Sequence, residues 1–249
     1  MSETMYVAAS GALVQQMRLE VLSNNLSNIN TVGFKEDRAV FRAYLPGSSE
    51  PIKGNSENQY LPTNFHVAFE GTRTSFSPGQ LKHTGNALDL GLDGNGFFCV
   101  KTPEGVQYTR KGNFSLNQEG VLSTQEGLPV LGNGGEIKID GRDIVVDVEG
   151  NISVDGKQID TIKIADFPQP YALEKVGDTL FVPIDPRVSE DIAEGVKVSQ
   201  GFIELSNVDA VRVMTEMIEV LRAYESYQKV IRSVDEITSK AINEVGTLA

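Results

Sequence analysis

Apolar residues recur at alternating steps of three and four at both ends of the chain. Near the start they give Met5, Ala8, Ala12, Gln15, Leu19, Leu22, Leu26 and Ile29, with Gln15 the one polar member. Near the end the same stepping gives Val213, Met217, Val220, Tyr224, Tyr227, Ile231, Val234, Thr238, Ala241, Val245 and Leu248. A period of about 3.5 residues is the seam of a coiled coil. The spacing predicts one helix over residues 4–30 and a second from residue 206 to about residue 245. Ser206-Asn207-Val208-Asp209 has the capping-box form at the second start, a hydroxyl three residues before a carboxylate. A second stripe, Val211, Met214, Ile218 and Leu221, widens the apolar face there, so this stretch calls for two neighbours rather than one.

Between the stripes the pattern changes. All ten prolines and all but three of the 24 glycines fall between residues 35 and 201. Residues 35–80 carry loop signals at Pro46-Gly47-Ser48-Ser49, Lys53-Gly54-Asn55-Ser56 and Pro62-Thr63-Asn64, and read as an extended connector with one or two short strands, such as Val67-Ala68-Phe69. Over residues 81–203, short β-type runs alternate with turns such as Asp93-Gly94, Asn133-Gly134, Asp140-Gly141 and Asp155-Gly156. Runs include Phe97–Lys101, Gln107–Thr109, Ile137–Ile139, Ile159–Ala165 and Val196–Ile203. Such spacing predicts an all-β sandwich or partial barrel. The expected class is α+β: paired long terminal helices, coiled-coil-like, enclosing a β-rich insert. The expected boundaries are 1–34 (first helix), 35–80 (connector), 81–203 (β-rich domain) and 204–249 (second helix).

The segment Ser23-Asn24-Asn25-Leu26-Ser27-Asn28-Ile29-Asn30 is unusual inside a helix, because Asn and Ser side chains compete for the backbone. Either these amides bond to neighbouring helices or subunits, or the helix frays into a turn; spacing leaves both open. The predicted assembly surface joins this segment to the seams: Leu19, Leu22, Asn24, Asn25, Leu26, Asn28, Ile29, Val213, Met217, Val220, Tyr224, Tyr227, Ile231 and Val234. An unpaired amphipathic helix is marginal in water. The expectation is therefore a monomer with a folded β domain whose termini order on docking.

Composition narrows the function classes. A formal charge of −12 over 249 residues argues against nucleic acid and anionic membrane surfaces, which reward clustered Lys and Arg. No stretch approaches a membrane-spanning apolar run, and no secretory leader is visible. The single cysteine, Cys99, sits in an apolar run and reads as a buried small hydrophobe. His66 and His83 are isolated, and no metal cluster, nucleophile elbow or phosphate loop occurs. Asp89, Asp140, Asp143 and Asp147 occupy turns and strand edges, where Asp serves turn chemistry. No catalytic residue, cofactor site or metal site is expected. An acidic carbohydrate-active β domain is the remote alternative.

The segment from Ser23 to Lys35, ending Asn30-Thr31-Val32-Gly33-Phe34-Lys35, closely resembles the signature of bacterial flagellar rod and hook proteins. Ala8-Ala9-Ser10-Gly11, Thr84-Gly85-Asn86-Ala87-Leu88-Asp89-Leu90, Gly94-Asn95-Gly96-Phe97-Phe98 and Tyr108-Thr109-Arg110-Lys111-Gly112-Asn113-Phe114 fit the same pattern. So does Gly201-Phe202-Ile203-Glu204-Leu205-Ser206-Asn207-Val208-Asp209, continuing into residues 217–225. Pro129–Gly135 and Leu173–Phe181 look most like the proximal-rod branch, with distal-rod or hook-type proteins the runner-up. The resemblance implies a structural role in the basal body, with the helices in an inner domain and the β insert outside. It implies rod and hook subunits as partners in a helical homo- and hetero-oligomer. It also implies passage through the flagellar type III export apparatus without a cleaved leader, and no direct membrane insertion.

Overall fold

The computed structural model describes residues 3–44, 66–177, 179–193 and 195–246. The class is α+β: two helices, α1 (Glu3–Ser27) and α2 (Ala210–Gly246), flank a long series of strands. The chain divides into two compact units, one from Met1–Ser27, Asp37–Arg73 and Asp209–Ala249, the other from Asn28–Glu36 and Thr74–Val208.

In the helical unit, α1 is free of proline and buries Ala8, Ala12 and Leu22. It ends at Ser27 rather than residue 30: Asn28–Asn30 turn, and the Thr31 amide bonds to the Asn28 carbonyl at 3.1 Å. The start of α2 corrects the expected cap. Asp209 takes that place, its Oδ1 accepting the Arg212 amide at 3.1 Å, whereas Ser206 Oγ accepts from Val208. A carboxylate fits a helix N-terminus better than a hydroxyl because it also meets the helix dipole. From there α2 buries Val213 and Val220, one heptad apart.

Of the expected connector, residues 45–65, with all three loop signals, lie outside the described residues. On either side of them Asp37–Tyr44 and His66–Thr74 form a two-stranded sheet, longer than the one or two short strands expected there. Phe41 and Phe69 meet across it at 5.6 Å, and Arg42 pairs with Glu70 at 2.6 Å. Of the late seam positions, Leu248 lies outside the described residues.

The β unit is antiparallel throughout its described pairings, and its sheets are open. The largest runs Leu173–Val176, Leu180–Pro183, Gly105–Thr109, Phe97–Thr102, Ile164–Asp166, Asp191–Ile192, so it has two ends and is not a closed barrel. A three-stranded sheet joins Ile144–Val146, Asn151–Val154 and Lys157–Thr161. The expected run Val196–Ile203 is two strands, Lys197–Gln200 and Phe202–Glu204, pairing with different partners. Gly201 separates them at φ +77, a conformation that glycine adopts without steric cost. Ile159–Ala165 likewise splits between two sheets, while Ile137–Ile139 forms no strand and contributes its isoleucines to the core.

Two buried clusters fill this unit. Phe98, Phe114, Val130, Ile137 and Ile152 belong to one; Phe97, Cys99, Phe167 and Phe181 belong to the other. Cys99 is fully buried, and burial pushes its thiol up to about 12. Beside the second cluster Glu190 accepts bonds from Tyr108 Oη, at 2.8 Å, and from Lys163. Burial opposes the charge on Glu190, but these two bonds outweigh it and hold its carboxyl below the usual range. A depressed folded value contributes stability above the unfolded value of about 4.3, and that stability is lost as pH falls through the folded value. Glu190→Gln is accordingly expected to lower the neutral plateau of the plot of unfolding midpoint against pH and to leave its acid end near that of the original chain, so the acid limb flattens. An acid limb unchanged in the variant would remove Glu190 from the account.

Candidate functional site

The helical residues predicted for assembly divide into two groups. Leu22, Asn25, Val213 and Val220 are buried inside the single chain. Leu19, Leu26, Asn28, Ile29, Met217, Tyr224, Tyr227, Ile231 and Val234 are half-buried, and Asn24 is exposed. Asn25 is satisfied at home: its Nδ2 donates to the Asp37 carbonyl at 2.7 Å and its Oδ1 accepts the Asp37 amide at 2.9 Å. That reciprocal pair fastens the end of α1 to the first residue of the following strand.

The longest exposed apolar run on the helices is the second stripe, with Val230 and Ile237, a heptad apart, exposed further along α2. Val211, Met214, Ile218 and Leu221 are exposed by 76%, 50%, 51% and 41%. Their 3-4-3 spacing aligns them on one face of α2. On α1, Tyr6 and Leu13, one heptad apart, are exposed together with Val7. Single exposed apolar residues are ordinary; a continuous helical stripe marks a contact surface. The sequence displayed this stripe, but the more regular seam drew the assignment.

The second feature was missed from the sequence. In the β unit, segments far apart in the chain meet at one buried node. Glu204 is almost fully buried, its Oε1 accepting from Lys35 Nζ at 2.7 Å and from the Gly79 amide at 2.6 Å. Its Oε2 accepts from Arg110 Nη1 at 3.3 Å, and its carbonyl accepts the Gly33 amide at 2.8 Å. Lys35 Nζ also donates to the Ser77 carbonyl at 2.9 Å, and Arg110 Nη2 to that of Gly94 at 2.7 Å. Burial lowers the Lys35 pKa, with the Glu204 charge acting against that shift. The Lys175 ammonium lies 4.0 Å from the centroid of the Phe34 ring and donates to the Lys35 carbonyl at 2.8 Å.

Asn207 extends the node. Its Oδ1 accepts the Glu36 amide at 2.7 Å, and its Nδ2 donates to the carbonyls of Ser75 and Ser77 at 2.9 and 3.0 Å. The signal in the sequence was a lone charge set among apolar neighbours at Phe202-Ile203-Glu204-Leu205; Lys35, which opens the charged run Lys35-Glu36-Asp37-Arg38, carried no such signal.

Gly33 makes the close approach possible. It sits at φ +70, and a Cβ there would lie 2.4 Å from the Lys111 nitrogen and 2.5 Å from the Arg110 carbonyl carbon. Backbone atoms cannot swing aside as a side-chain end can. Gly33→Ala is expected to destabilise the unit by about 2 kcal/mol or more, adding overlap to the left-handed strain. Chemical denaturation measures it, and a loss under about 0.5 kcal/mol would show that the approach is looser than described.

Among the described residues no group of three or more His, Cys, Asp or Glu side chains could hold a metal ion, and no helix is long and apolar enough to cross a membrane. The arrangement offers helical contact faces and a buried structural lock.

Three family profiles match the chain in order. Residues 5–35 match the flagella basal body rod protein profile, 91–154 the D1 domain of the flagellar hook protein FlgE/F/G, and 199–244 the flagellar basal body rod FlgEFG protein C-terminal profile. The chain is 32% identical over 251 residues to the flagellar basal-body rod protein FlgF of Caulobacter vibrioides, covering 100% of both chains. It is 34% identical to the flagellar basal-body rod protein FlgG of Bacillus subtilis, covering 98% of this chain and 99% of that one. To FlgG of Agrobacterium fabrum it is 35% identical, over 94% of this chain and 95% of the relative.

Proposed function

The chain belongs to the flagellar basal-body rod family and is a structural subunit of that rod, and from this premise we propose that it builds into the proximal segment by burying helical faces against other rod subunits. The observation that carries the proposal is the exposed stripe Val211, Met214, Ile218 and Leu221. Each such side chain contributes about 1.5–3 kcal/mol when fully buried, before ordering costs. Rod and hook subunits are the partners, and the route out of the cytoplasm is the flagellar type III export apparatus.

The helices pair antiparallel, in coiled-coil fashion, along the seam. A Cβ on Gly11 would come within 2.5 Å of the Tyr227 ring, so that ring lies directly on the α1 backbone. From this contact to the end of α1, and back to the start of α2, is about 25 Å each way at 1.5 Å per residue. Burial of Val213 and exposure of residues 235–240 favour the antiparallel sense. A parallel pair would leave Val213 beyond the reach of α1.

In that sense the exposed patch on α2 at 211–221 and the one on α1 at 6–13 are displaced along the pair by about 20 Å. Two different patches offset in this way favour a head-to-tail contact, and head-to-tail contacts build open helical polymers.

End-to-end alignment with FlgF, and the resemblance of Pro129–Gly135 and Leu173–Phe181 to the proximal branch, support the proximal position. The slightly higher identity to FlgG favours a distal-rod reading instead. Complementation separates them. The chain is expected to restore swimming to a strain lacking its proximal-rod gene and not to one lacking the distal-rod gene; the reverse pattern would assign the distal position.

A further inference from the structure

The segment Asn28–Glu36 follows α1 directly, yet it belongs to the β unit. Phe34, Lys35 and Glu36 are exposed by only 1%, 1% and 3%. Their fasteners come from Ser75, Ser77, Lys175, Glu204 and Asn207. The far end of the segment closes on Asn207: the Glu36 amide donates to its Oδ1 at 2.7 Å, and the Phe34 carbonyl accepts its amide at 3.4 Å. Asn207 stands three residues before α2 begins at Ala210.

This placement changes the distance along the chain between the helices. Measured through the whole insert, Ser27 and Ala210 are roughly 180 residues apart. Through the Phe34–Asn207 bond the path shrinks to about ten residues. Shortening a tether raises the effective concentration of the two ends for each other, into the millimolar range for short linkers.

We propose that Asn28–Glu36 is a strap, and that its docking on the β unit, fastened by Lys35 and Asn207, brings the two terminal helices within pairing range. The inference rests on the reading that α1 and α2 pair. The strap makes helix order conditional on a folded β unit, so a chain whose insert has not closed presents unpaired ends. Lys35 supplies the charge that selects the buried Glu204, and Asn207 reads the strap backbone. The two fasteners share the Ser77 carbonyl as an acceptor but are different side chains and can be removed separately.

Hydrogen exchange on the full-length chain, read by mass spectrometry of its peptides, tests this. Lys35→Met removes the Lys35–Glu204 ion pair, and Asn207→Ala removes the side-chain grip on the Glu36 amide without leaving a buried charge, weakening the support of the main-chain bond to the Phe34 carbonyl. In either variant, peptides from the strap, α1 and α2 are expected to exchange at least about tenfold faster together, while Phe97–Thr102 and Gly105–Thr109 keep their protection. Helices that keep their protection after the strap is released overturn the proposal. So does loss of protection in those strands in step with the helices in both variants, which would make the segment merely part of the core. A strap that stays protected in both variants also overturns it. Helices of the unaltered chain exchanging at free-chain rates would instead remove the pairing reading itself, and the strap with it.

Discussion

Glu204→Ala is expected to destabilise the β unit by about 3–5 kcal/mol, because it leaves two buried cations without the carboxylate both of them bond. Lys35 and Arg110 are 1% and 4% exposed, so water cannot replace the lost partner cheaply. Domains hold only about 5–15 kcal/mol in total, so the loss threatens the folded state at growth temperature. Removing the whole charged set tests the cause. The triple variant Lys35→Met, Arg110→Met, Glu204→Leu is expected to recover most of the loss, since a well-packed apolar replacement avoids the desolvation penalty. Urea unfolding measures both. A single variant losing less than about 1 kcal/mol would place the node outside the stabilising structure.

The second large effect is a contrast between neighbours on α2. Val213 is fully buried and Ile218 half exposed, five residues away on another face. Val213→Asp buries a charge without a partner and is expected to cost about 4 kcal/mol or more of helical-unit stability. Ile218→Asp places its charge in solvent, so the purified chain should melt within about 0.5 kcal/mol of the original. In cells, however, Ile218→Asp is expected to abolish incorporation into the rod and swimming, because its contact would bury the carboxylate in an apolar interface. A strain carrying Ile218→Asp that swims normally would move the assembly surface off this stripe. Val213→Asp with unaltered melting would mean the seam is not buried within the chain.

These contrasts show how far the sequence could be read. A 3.5-residue period is local, so both helices were legible to within a few residues. Which of two stripes a helix buries depends on its neighbour, which lies roughly 200 residues away in the chain. The spacing put Val213 in the seam assigned to assembly and Ile218 in a second stripe, without saying which of the two is covered inside the chain. The cap moved from Ser206 to Asp209 because several capping side chains stood in a row. Turn glycines were visible, but their effect on strand continuity was not: Gly201 sends the chain from one sheet to another. The charged node was least legible, since Gly33–Glu36, Arg110 and Glu204–Asn207 acquire their meaning only on meeting. Motif resemblance had marked each of those segments without saying that they touch.

The most direct test is thiol accessibility on the exposed stripe. Met214, 50% exposed, can be replaced by cysteine without competition from Cys99, which is buried with its thiol pushed up to about 12. Met214→Cys is expected to react readily in the purified chain and at least about tenfold more slowly in intact basal bodies, where the proposed contact would cover the stripe. Equal labelling rates in the two settings, in a strain that still assembles a rod, would contradict the account.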